Sequence, residues 1–126
     1  TETTSRAIEV VGKAKKGKAI IVLNPADPPI HMTDTVMIRV ADTSVPFETI
    51  RDSILNIVSQ VQGYVPGYRL RVPPQMDGDK VSVVVQVQGQ GDFLPTFAGN
   101  LDIINAAAIA AAERIARNLL KGGAKE

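Results

Sequence analysis

Two polar residues stand where this chain could do chemistry. Asp34 lies just ahead of an apolar run, and Asn100 opens an alanine-rich stretch. A carboxylate at the edge of apolar surroundings can act as a catalytic acid or base. The same group can simply accept bonds from nearby turn N–H groups at the entry to a strand. An Asn at a helix start can cap the first free N–H groups. It can also turn its amide towards a ligand, where the helix dipole favours negative charge. The residues alone leave both pairs of readings open. His31, between Ile30 and Met32, reads as a packing histidine. Lys13, Lys15, Lys16 and Lys18 read as a solvated basic helix end. No set of nucleophile, base and orienting group is present. The chain has no cysteine and one histidine, so its own residues offer neither thiol catalysis nor a cysteine or multi-histidine metal site.

The elements that must hold Asp34 and Asn100 can be read from periodicity. Thr1–Ala14 reads as a helix with Ile8 and Val11 on one stripe. Lys18–Leu23 (KAIIVL) is a short β-branched apolar run and reads as a strand buried on both faces. The prolines of Asn24–Pro29 must end it. Thr35–Val40 reads as the next strand, with Val36, Ile38 and Val40 on one side. Ser44 and Pro46 are suited to opening a helix. Its apolar positions are Phe47, Ile50, Ile54, Ile57, Val58 and Val61, and Gly63 is placed to end it. Tyr68–Val72 alternates, with Arg69 and Arg71 outward. Pro73–Asp79 reads as a turn or exposed loop. Val81–Gln88 alternates again, with Val81, Val83, Val85 and Val87 on one face. A final helix is expected from about Asn100 to Leu120, stopped by Gly122 and Gly123, with Leu101, Ile104, Ala108, Ile115 and Leu119 sharing a face.

That order predicts an α+β two-layer sandwich: about four mostly antiparallel strands, with helices on one face. The opposite sheet face, with Val84, is expected to be wet or covered by a second copy in a homodimer. A length of 126 residues suits one domain. The net charge of +1 gives no pull towards nucleic acid. No apolar run is long enough to span a membrane, and no signal-peptide pattern is seen, so a cytoplasmic location is expected. Gln88–Gly91 supplies only GxG, without the GxGxxG of a dinucleotide-binding turn. Gly89 and Gly91 therefore read as a turn or bulge.

Four blocks, TTSRAIEVVG, KGKAIIVLNPADPPIHMTDT, GYVPGYRL and FLPTFAGNLDIINAAA, span most of residues 3–112. In that order they resemble the acylating acetaldehyde dehydrogenases, which turn acetaldehyde or propanal, NAD and coenzyme A into acyl-CoA. Asp27, Asn105 and a short Pro73–Lys80 loop depart from the common form and suggest a particular branch, the one acting in steroid catabolism, with aromatic catabolism the other pathway the resemblance implies. The resemblance implies that residues 1–126 are the dimerisation domain, similar to the second domain of glyceraldehyde-3-phosphate dehydrogenases. A Rossmann NAD-binding domain carrying the catalytic Cys would lie outside this chain. It further implies that Asn100 lies near the nicotinamide and the reacting thioester. Asp34 would be a supporting acidic residue of the active site. Ile21 and Leu23 would gate a channel from a partner, a 4-hydroxy-2-oxovalerate or oxohexanoate aldolase. Apolar gate residues would exclude water and offer a small aldehyde no hydrogen bonds. NAD and coenzyme A would be bound by the full-length enzyme, and the chain by itself is expected to bind neither and to be inactive. The alternative from another class is a free-standing regulatory ligand-binding domain of ferredoxin-like topology.

Overall fold

The computed structural model describes residues 1–122. Its elements are α1 (Glu2–Val10), β1 (Met32–Arg39), α2 (Phe47–Gln62), β2 (Tyr68–Leu70), β3 (Gln75–Asp77), β4 (Lys80–Val87) and α3 (Gly99–Gly122). The class is α+β, as expected, with an open antiparallel sheet. β4 is the centre of that sheet: β1 pairs with one of its edges, and β2 and β3 share the other.

The alternation of β4 explains where the core lies. Val81, Val83 and Val85 are buried on one face and pack with Phe47, Ile50 and Ile54 of α2. Val40, Tyr68, Leu70 and Met76 complete that layer. Directly paired residues of antiparallel strands share a face. The register therefore sets Asp34 with Val85, Val36 with Val83 and Ile38 with Val81 on the α2 side. The opposite face carries Thr33, Thr35, Met37, Ser82, Val84, Gln86 and Arg69. It is mostly polar, and Arg69 donates from Nη2 to Gln86 Oε1 at 2.8 Å across it.

Two expected details are replaced by others. Ser44 does not cap α2. Its N–H and hydroxyl both donate to Asp42 Oδ1, at 3.0 and 2.6 Å, and Pro46 occupies the N-cap without a side-chain bond. Those bonds, the hydroxyl one first, hold the Asp42 carboxyl below its ordinary pKa. Second, the expected loop at Pro73–Asp79 contains β3. Asp77 pairs with Lys80 across a two-residue turn, and Gly78 takes a φ of +58°. Glycine adopts that left-handed backbone without the steric penalty of a Cβ.

The largest departure is Lys18–Leu23. It belongs to no strand, and Ile20–Leu23 are exposed by 66–89%. β-branched residues favour a strand only where a ladder and a covering layer receive them. Here the front of the segment is instead tied to α1: the Ala19 N–H donates to Ser5 Oγ at 2.9 Å and the Gly17 N–H to Glu9 Oε1 at 3.1 Å. The fourth strand of the sheet is β3, in place of this segment.

α3 is longer than expected and reaches Gly122. The second glycine of the expected stop, at position 123, lies outside the described residues. Only its start is seated on the sheet: Gly99 is buried against the Val87 carbonyl and side chain. Leu101, Ile104, Ile115 and Leu119, expected to pack as a stripe, are exposed among the described residues.

Candidate functional site

Val87 brings the candidate residues to one end of the sheet. It is fully buried, pairs with Met32 on one side and Tyr68 on the other, and receives Gly99 at the start of α3. Asp34 follows two residues after Met32 on the same face. Asn100 follows Gly99 directly. The fold thus places Asp34 and Asn100 at the same end of the sheet, although 65 residues lie between them in sequence.

Asp34 sits within β1, not before it, and is exposed. No described hydrogen bond or ion pair uses its carboxylate, so the turn-bonding reading has no support in this geometry. Its charge acts on Tyr68 instead. The Tyr68 phenol is raised above its ordinary pKa of 10.0, first by burial, then by the negative charge of Asp34, then by Tyr64. A half-buried, firmly protonated phenol and an exposed carboxylate form a donor and an acceptor on the α2 side of the sheet. Alternation in YRLRV places Tyr68 inward, but no sequence signal reveals the β4 register that brings it towards Asp34.

Asn100 is the second residue of α3 and not its cap. Its side chain is exposed, and no described hydrogen bond engages the amide. The polar work expected of it is done by Asp102, whose Oδ2 accepts the Gln90 N–H at 2.7 Å. Gly89 fits tightly there, since a Cβ on it would stand 2.6 Å from that oxygen, and its N–H donates to the Thr96 carbonyl at 2.7 Å. Gln88–Gly91 is therefore a loop strapped to the helix start, with Gly91 at a φ of +83°. This leaves the Asn100 amide free at the positive end of a long helix, which suits contact with a carbonyl, carboxamide or anionic group.

Ile21 and Leu23 are not brought to this end by any described contact; they lie in the exposed run before β1. His31 is half-buried with its Nε2 enclosed and unpartnered. No cluster of three or more metal-ligating residues occurs among the described residues. No helix among them is long and apolar enough to cross a membrane.

Residues 1–95 match the family model described as prokaryotic acetaldehyde dehydrogenase, dimerisation. An acetaldehyde dehydrogenase of Carboxydothermus hydrogenoformans is 53% identical over 120 residues, covering 95% of this chain and 40% of the relative. That of Geobacillus stearothermophilus is also 53% identical, with 95% and 41% covered. Acetaldehyde dehydrogenase 1 of Comamonas testosteroni is 51% identical over 122 residues, with 97% and 39% covered. With an α+β fold of this topology and a match over three quarters of its length, the chain belongs to the family of prokaryotic acetaldehyde dehydrogenase dimerisation domains. It spans about two fifths of the length of these curated relatives.

Proposed function

We propose that this chain is the dimerisation and substrate-side part of an acylating acetaldehyde or propanal dehydrogenase, working as a homodimer in the cytoplasm. The observation that carries the reading is identity of about half over nearly the whole chain to proteins named acetaldehyde dehydrogenase. The remaining three fifths of those relatives leaves room for a Rossmann domain that brings the nucleophilic cysteine, which this chain lacks. Bound NAD would supply a hydride acceptor and coenzyme A an acyl acceptor. The described residues include no glycine-rich cradle for a dinucleotide, but the exposed Asn100 amide fits one polar contact to such a group or to the thioester oxygen. Asp34, with Tyr68 as a protonated neighbour, is positioned to hold or pass a proton beside it. Ile21 and Leu23 would line the entry of aldehyde from a 4-hydroxy-2-oxoacid aldolase, because their side chains offer no hydrogen bonds to delay it. Aromatic or steroid breakdown would supply such an aldehyde.

The test replaces Asn100 by Ser in the full-length protein. The helix start tolerates Ser, whereas the amide is lost. Coenzyme A-dependent NADH formation from acetaldehyde should fall about tenfold or more, equivalent to about 1.4 kcal/mol of transition-state stabilisation, with the dimer and its thermal midpoint retained. Unchanged kinetics would remove Asn100 from the active site.

A further inference from the structure

An exposed apolar run and a long, unpaired sheet edge lie on either side of one loop. β1 is an edge strand of eight residues without Pro, its charged side chains being Asp34 near one end and Arg39 at the other. The other edge of the sheet consists of two three-residue strands separated by Pro73 and Pro74. A long edge without such blocking features presents a row of free N–H and C=O groups to an incoming strand. Upstream, Ile20–Leu23 belongs to no helix or strand, and its backbone takes part in no described hydrogen bond. α1 holds this run through Ser5 and Glu9, yet α1 has no buried residue and gives none to the core. Residues 2–23 thus form an arm whose apolar end has no partner among the described residues.

We propose that the arm is exchanged between two copies: Ile20–Leu23 of one adds as a strand to the β1 edge of the other, and reciprocally. The inference rests on the homodimer proposed above and names its surface. A second copy is the occupant because the matched dimerisation region, residues 1–95, contains both the arm and the edge. The exposed stripe of α3 lies outside that region. One patch pairing with itself about a two-fold axis is what a closed dimer requires. The open sheet face is the competing surface, but Thr33, Thr35, Ser82, Gln86 and Arg69 make it largely polar. Strand addition uses the backbone, so Ile21 and Leu23 can still share one free face.

The experiment measures dimer dissociation of the 126-residue chain by light scattering and analytical ultracentrifugation. Val22→Pro removes a donor from the added strand and should raise the dimer Kd about tenfold or more. Val22→Thr, still β-branched, should leave it near wild type, as should Met37→Lys on the open face. Circular dichroism should show Val22→Pro folded, since the arm adds nothing to the core. In dimers mixed from labelled and unlabelled chains, isotope-filtered spectra should show contacts from Ile20–Leu23 methyls to β1 amides of the other copy. A monomeric wild type at high micromolar concentration overturns the homodimer and this inference together. A dimer insensitive to Val22→Pro but broken by Met37→Lys overturns only the arm exchange. Methyl-to-β1 contacts found solely within one chain also overturn it.

Discussion

Replacing Gly99 by Ala sets two effects of opposite sign against each other. Alanine is the better helix former by about 1 kcal/mol in a helix interior, and somewhat less at a first residue. Yet a Cβ on Gly99 would stand 2.5 Å from the Val87 carbonyl oxygen and 3.0 Å from its carbonyl carbon and Cγ1. Val87 cannot easily yield, because ladders to Met32 and Tyr68 fix it from both sides. Overpacking of this kind costs about 1–3 kcal/mol, so the clash should win by roughly 1 kcal/mol. With a urea slope of about 1–3 kcal/mol/M, the midpoint should drop by about 0.3–1 M. Gly122→Ala is the control: it lies in the same helix, where a Cβ would meet nothing within 4 Å, and should cause no loss. Urea denaturation followed by circular dichroism reads both. A Gly99→Ala midpoint at or above wild type would mean that α3 is not seated on Val87, and that Asn100 is not held at this end of the sheet.

The core and the uncovered helix should respond differently to truncation. Val83→Ala should cost about 2–3 kcal/mol, from two methylene equivalents at about 0.8 kcal/mol each plus the residual cavity, whereas Ile109→Ala on the exposed flank of α3 should stay within about 0.5 kcal/mol; equal losses in denaturant would refute the burial pattern. The Tyr68 phenol is held above its ordinary pKa of 10.0, so its stabilising contribution is complete below that pH and fades as pH rises through the higher folded value. Asp34→Asn should lower the Tyr68 midpoint in a resolved NMR titration, though not to the ordinary value, since burial is the larger cause. An unmoved midpoint would mean that Asp34 does not face Tyr68.

Strict alternation made the sheet's centre readable: Val81, Val83, Val85 and Val87 are buried on one side as the pattern requires. The helical spacing of Phe47, Ile50 and Ile54 likewise identified the layer that covers them. Lys18–Leu23 failed as a strand because composition reports a preference for cover and cannot supply the cover itself. The choice between cap and free amide at Asn100 was not legible in the sequence, because it turns on Gly99 beginning the helix and Asp102 taking the loop's N–H. The β3 turn was present as Gly78-Asp79, a two-residue hairpin signal overshadowed by Pro73 and Pro74 just upstream. The link from Asp34 to Tyr68 depends on a register spanning β1, β4 and β2, which no local pattern encodes.

Because every strand pairs with β4, the order of synthesis matters. β1 leaves the ribosome before β4, yet its ladder joins Arg39 to Lys80 and Met32 to Val87. At about 5–20 residues per second, the completed β1 must wait roughly 2–10 s for the last residue of β4. During that interval α2 can form, but its apolar side has no sheet to cover it. The β3–β4 hairpin, closed by Gly78, is the short-range step that can form as soon as β4 emerges. Nascent chains shorter than residue 80 therefore display β1, the α2 apolar face and the Ile20–Leu23 run together, and it is there that chaperones would find the most to bind.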